Sequence, residues 1–112
     1  MKPTQKRKTE KRHGHPRFYE LLDEIADLHS RKNHDYAHSD PLSNLRVSEQ
    51  FGIPGWKGVL VRLADKWQRI VNFARRGSLE VKDESVIDTL KDLAIYALLD
   101  IILFEESRKE PR

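Results

Sequence analysis

Residues 84–104, ESVIDTLKDLAIYALLDIILF, hold no glycine or proline and are apolar on almost every side from position 93 onward. A periodic stretch of this length without a breaker predicts a helix. Val86, Leu90, Leu93, Ala94, Ala97 and Ile101 recur at helical spacing and form its predicted core stripe. Ile95, Leu99, Ile102 and Leu103 carry the apolar character round to the other side. A helix of that kind needs cover on several faces. A 112-residue chain with three other helices cannot supply it alone, so the segment implies a homo-oligomer that buries it. Asp100 interrupts the run before it reaches the roughly 18–20 residues of a membrane span, so no membrane is expected.

The rest of the chain completes an all-α reading, a small bundle of about four helices with no convincing strand. The first helix starts near Pro16, a residue suited to the first helical turn. Its apolar stripe is Phe18, Leu21, Leu22, Ile25 and Leu28, with Glu20, Asp23 and Asp27 pointing away. HSRKNHDYAHSD, residues 29–40, reads as a polar loop. Asp40 before Pro41 is a start signal for a short second helix carrying Leu42, Leu45, Val47 and Phe51, which FGIPGW ends. The third helix runs from about Trp56 to Arg76, with Gly77 as its stop. Val59, Leu60, Leu63, Ala64, Trp67, Ile70, Val71 and Ala74 fall on one arc of it, and Arg62, Asp65, Lys66 and Arg69 on the opposite one. The fourth helix begins near Asp83 and ends near Glu106.

Charge separates a tail from a body. The net charge is +3, yet residues 1–17 hold seven Lys/Arg against Glu10. The remaining 14 basic and 17 acidic residues leave the body acidic. The predicted organisation is therefore a disordered basic tail over 1–15, one all-α domain over 16–106 and a disordered tail over 107–112. A basic tail can make nonspecific phosphate contacts with nucleic acid. It has no apolar core of a secretory leader, and the chain has no cysteine for disulfides or thiolate metal sites. A cytoplasmic location is the expectation.

Three constellations carry potential chemistry. Glu84, Asp88 and Asp92 recur every fourth residue and so lie along one stripe. Converging carboxylates repel unless a cation neutralises them, and Mg²⁺ takes oxygen ligands while keeping waters for a substrate's phosphates. The rival reading is a solvated face. RLADKWQRI, residues 62–70, gathers Arg62, Asp65, Lys66 and Arg69. Its three cations suit phosphates, with Arg giving forked hydrogen bonds and Lys a point charge. Asp65 would reach the acidic stripe if the third and fourth helices are antiparallel neighbours. The rival reading is a charged surface with an Asp65–Arg69 pair. In the loop, Tyr36 can stack on a base, Lys32 can pair with a phosphate, and Asn33 and Asp35 can hydrogen-bond a sugar or base edge. His34 and His38 share helical spacing, but two histidines without a third ligand do not make a zinc site.

KNHDY (32–36), Asn44, RLADKWQRI and ESVIDTLKDLAIYALL, in that order, resemble the nucleotide-modification-associated domain of the first type, a mostly phage-borne family. The resemblance spans about residues 16–106. It implies a role in phage nucleotide or modified-base metabolism, hence the cytoplasm of a bacterial host. It matches Lys32, Asn33, Asp35, Tyr36, Arg62, Asp65, Lys66, Arg69, Glu84, Asp88, Asp92 and Tyr96 to the family pattern. A more distant similarity is to the MazG-like all-α nucleoside triphosphate pyrophosphohydrolases. There Asp88 and Asp92 match the later acidic pair, and Asp65 survives from the earlier set. The chain departs from that group at Lys66, Gln68 and Arg69, where the group carries acids.

The expectation from these residues is a nucleotide-binding protein. As an enzyme it would be a Mg²⁺-dependent nucleoside triphosphate pyrophosphohydrolase. Its catalytic acids would be Asp65, Asp88 and Asp92, and its metal ligands Glu84, Asp88 and Asp92. Lys32, Asn33, Asp35, Tyr36, Asn44, Arg62, Lys66 and Arg69 would bind substrate. The alternative is a non-enzymatic nucleotide- or nucleic-acid-binding adaptor.

Overall fold

A computed structural model describes residues 11–34, 40–76 and 83–109, the side chains of 83–85 excepted. The fold is all-α, a small helical bundle, with no strand among the described residues. The helices are α1 (Pro16–Lys32), α2 (Gly55–Arg76) and α3 (Asp83–Lys109), and the short 3-10 turns Ser43–Leu45 and Val47–Phe51 come between α1 and α2. No described helix is long and apolar enough to cross a membrane. The chain divides into two compact units, Met1–Arg31 and Lys32–Arg112.

In the first unit, α1 begins at Pro16 as its sequence predicts. The backbone N–H of Arg17 donates to His15 Nδ1 at 3.0 Å, so His15 caps an N–H that the helix leaves unpaired. Residues of the segment before the helix contact α1. Tyr19 donates its hydroxyl to the His13 carbonyl at 2.7 Å, and the Arg12 guanidinium lies 4.9 Å from the Tyr19 ring centre. Residues 1–10 lie outside the described residues. Only Ile25 of the predicted stripe is buried, whereas Phe18 and Leu22 are exposed. The helix continues through His29–Lys32, which the sequence assigned to the loop. Nothing in DLHSRK breaks a helix, so its polarity misled the assignment.

The second unit is built on α2 and α3. Arg62 meets Tyr96, Lys66 meets Asp92, and Trp56 meets Phe104 edge to face with ring centres 5.2 Å apart. As α2 residue numbers rise, their α3 partners fall, so the two helices form an antiparallel hairpin. The predicted second helix is instead the two 3-10 turns, which lie on one side of the hairpin. Asp40 starts them as expected, its Oδ1 accepting from the Leu42 N–H at 3.0 Å. Gly52 ends them at φ +79°, a left-handed conformation that suits glycine. Leu42 and Leu45 from the turns pack with Val59 and Leu103, and Trp56, Leu63, Tyr96 and Leu99 complete this core. Val47 and Phe51, expected inside, are exposed.

Arg46 fastens the turns to the far end of α3. Its Nε donates to Asp40 Oδ2 at 2.7 Å and its Nη2 to Glu106 Oε1 at 2.6 Å. Both partners raise the arginine's pKa. The Leu42 N–H and then Arg46 hold the Asp40 carboxyl below its usual range. Residues 107–109, assigned to a disordered tail, continue α3.

The rotation of α3 differs from the sequence reading. Thr89 and Leu103 are buried, and Asp92, Tyr96 and Leu99 between them are half-buried, all at three- or four-residue steps. The predicted core stripe lies partly outside: Leu90, Ala94, Ala97 and Ile101 are exposed. The helix has apolar residues on both flanks, so apolar periodicity alone does not fix which flank faces α2. Lys66 and Arg62 reach Asp92 and Tyr96 on the chosen one.

Candidate functional site

The side of the hairpin that carries the 3-10 turns also carries a polar cluster. Lys66 Nζ donates to Asp92 Oδ2 at 3.0 Å, and both side chains are about three-quarters shielded from solvent. One turn along each helix, Arg62 Nη1 lies 3.5 Å from the Tyr96 hydroxyl, with the guanidinium carbon 6.0 Å from the ring centre. Arg62 Nη2 donates to the Asn44 backbone carbonyl at 3.3 Å. Asn44, Arg62, Lys66, Asp92 and Tyr96 therefore come from three separate stretches of the chain to one place.

Local structure explains this convergence. Arg62 and Lys66 are four residues apart on α2, as are Asp92 and Tyr96 on α3, so each pair occupies one helix face. Antiparallel packing then sets Lys66 against Asp92 and Arg62 against Tyr96. The turn Ser43–Leu45 is pinned by burial of Leu45, which brings the Asn44 carbonyl to Arg62. What the cluster offers a ligand is two cations, a phenol and a carboxylate in a partly desolvated setting. In such a setting charge-assisted hydrogen bonds are stronger than at a free surface.

The other predicted residues are placed differently. Asp65 is exposed and forms no ion pair among the described residues, so the acid that meets the cations is Asp92, and Asp65 makes no contact with the acidic stripe there. Arg69 is exposed too, and the expected Asp65–Arg69 pair is not among the described ion pairs. Asp88 is exposed, one turn before Asp92. Glu84 lies in α3, but its side chain is outside the described residues. Lys32 is exposed at the end of α1, and Asn33 beside it is half-buried. Asp35, Tyr36 and His38 lie outside the described residues. Asn44 contributes its backbone carbonyl, which accepts from Arg62. Tyr96, which the family resemblance matched without assigning it a role, lies beside Arg62.

Among the described residues no three His, Asp or Glu side chains gather as metal ligands. Asp88 and Asp92 are the described carboxylates nearest to such a set. Lys66 already neutralises one Asp92 oxygen. Comparison of the chain with family models, curated proteins and solved structures returns no match.

Proposed function

We propose that this protein binds a nucleotide or modified nucleotide, with its phosphates held by Arg62 and Lys66. The observation that carries this reading is the Lys66–Asp92 pair with Arg62 one turn away. Two cations are held side by side, partly shielded from water, with an acid that can yield one of them to a phosphate. Arg62 supplies a planar fork and Lys66 a compact point charge, the two usual ways of gripping phosphate. Asn44, Tyr96 and, from the neighbouring loop sequence, Lys32, Asn33, Asp35 and Tyr36 would contact the sugar and base. The resemblance to the phage nucleotide-modification-associated domain supports the same ligand class.

A catalytic version of this reading uses Mg²⁺. Asp88 and Asp92, with Glu84, would hold the ion through carboxylate oxygens and waters. Bound there, it would neutralise a triphosphate and activate water for release of pyrophosphate. Arg62 and Lys66 would orient the phosphates, and Lys66 would pass from Asp92 to the ligand as the carboxylate turned to the metal.

Asp92→Asn separates the two versions. Calorimetric titration with a panel of common and modified nucleoside triphosphates, with and without Mg²⁺, measures affinity, and a pyrophosphate assay measures turnover. Binding by cations alone predicts affinity that is kept or tightened, because Lys66 loses its competing partner. The metal-dependent version predicts loss of Mg²⁺ dependence and of turnover with helicity intact. No binding of any panel member by the wild-type chain would refute both.

A further inference from the structure

The hairpin has two sides, and the chain's own 3-10 turns cover one. Away from the turns, Leu60, Ala97, Ile101 and Phe104, with Trp56 and Leu63 at the edge of the core, line an open cleft of about 480 Å³. Ile101 is 54% exposed and Leu60 47%, so the most apolar stretch of the sequence is the part left bare. Apolar surface gathered in this way marks an interaction site.

The charges of the cleft identify its occupant. Asp100, Glu105 and Arg108 lie along the same wall of α3, so acid and base occur in one patch. A two-fold interface that includes charged groups needs both signs in one patch, because each surface must complement itself. Asp100 also has an unmet need. Its Oδ1 is buried and accepts no hydrogen bond among the described residues. Burial of this carboxyl raises its pKa, and a cation brought into the cleft that Asp100 lines would favour its charged form. Arg108 stands two turns further along α3 and stacks on Phe104, its guanidinium 5.6 Å from the ring centre.

We infer that this cleft is the two-fold contact between two copies of the chain, packed α3 against antiparallel α3, with Arg108 of each copy donating to Asp100 of the other. Phe104 lies midway between positions 100 and 108, so the axis passes near it and the two Phe104 rings meet. The inference is independent of the nucleotide reading, because the polar cluster lies on the other side of the hairpin.

Sedimentation equilibrium of the full chain over a concentration series tests it. The expected mass is twice the 13.2 kDa of one chain. Ile101→Glu should shift the chain to monomer with its helical circular dichroism unchanged, and Arg108→Glu should weaken association about tenfold or more, as loss of a charged hydrogen bond does. The chain has no cysteine, so single cysteine substitutions give a second readout that does not depend on breaking the interface. Oxidised Phe104→Cys should form a disulfide-linked dimer, whereas Leu98→Cys, on another flank of α3, should not. A monomeric wild type would overturn the inference, including one whose Phe104→Cys thiol is shielded by another part of the same chain. A dimer that survives Ile101→Glu and does not cross-link through Phe104→Cys would overturn it too.

Discussion

Lys66 on α2 and Asp92 on α3 are joined by a hydrogen-bonded ion pair of 3.0 Å, set between helices and about three-quarters shielded from water. The pair ties the register of the hairpin to the cluster read here as a ligand site. A double-mutant cycle with Lys66→Ala and Asp92→Ala should give a coupling of about 1 kcal/mol, at the upper end for pairs that keep some solvent contact. Urea denaturation of the four proteins checks it. A coupling indistinguishable from zero would mean that the pair does not set the register.

The observed rotation of α3 makes a sharp contrast between two leucines. Leu103 is 3% exposed and Leu98 is 50% exposed. Leu103→Ala should cost about 2–5 kcal/mol, as deletion of a packed leucine does. Leu98→Ala should stay within about 0.5 kcal/mol of wild type. Thermal melts of both variants decide whether the Leu103 flank of α3 faces the core.

Gly58 sits against Ser48, whose hydroxyl is held by the Ile53 carbonyl at 3.0 Å. A Cβ at position 58 would come 2.8 Å from Ser48 Cβ and closer still to its hydroxyl oxygen. Gly58→Ala gains about 1 kcal/mol of helix propensity but incurs overpacking of about 1–3 kcal/mol. A net loss of stability is expected. Ser48→Gly in the Gly58→Ala background should recover part of it, as denaturant midpoints would show.

Asp40 links stability to acid. Its carboxyl, held by the Leu42 N–H and Arg46, has a folded pKa below the ordinary 3.8. The stabilisation from this group is complete above the unfolded value and is lost as pH falls through the folded one. Asp40→Asn should therefore lower stability at neutral pH and flatten the decline below about pH 4. Asp100 acts in the opposite sense. Its folded pKa is raised by burial, so its penalty is absent below the unfolded value and grows as pH rises to the folded one. Melting temperatures of Asp40→Asn across an acid series isolate the first effect.

Most of the helical framework was legible in the sequence. Pro16, Asp40, the FGIPGW turn and the stretch free of breakers after Asp83 mark element ends by local chemistry. The rotation of α3 was not legible. That helix is apolar on both flanks, and the choice between them rests on Lys66 and Arg62, which belong to another helix. The same long-range pairing decides which residues join the polar cluster. Asp65 shares a sequence motif with Lys66, but successive residues on a helix point about 100° apart, and only Lys66 faces α3. The His15 cap escaped notice because histidine is not among the usual capping residues.

Calorimetric titration with nucleoside triphosphates decides whether Arg62 and Lys66 grip the phosphates of a nucleotide. The wild-type chain should bind at least one member of a panel of common and modified triphosphates. Arg62→Lys, which keeps the charge but loses the fork, and Lys66→Gln should each weaken that binding about tenfold to a hundredfold. Affinity unchanged in both variants, or no binding by the wild type across the panel, would contradict the account.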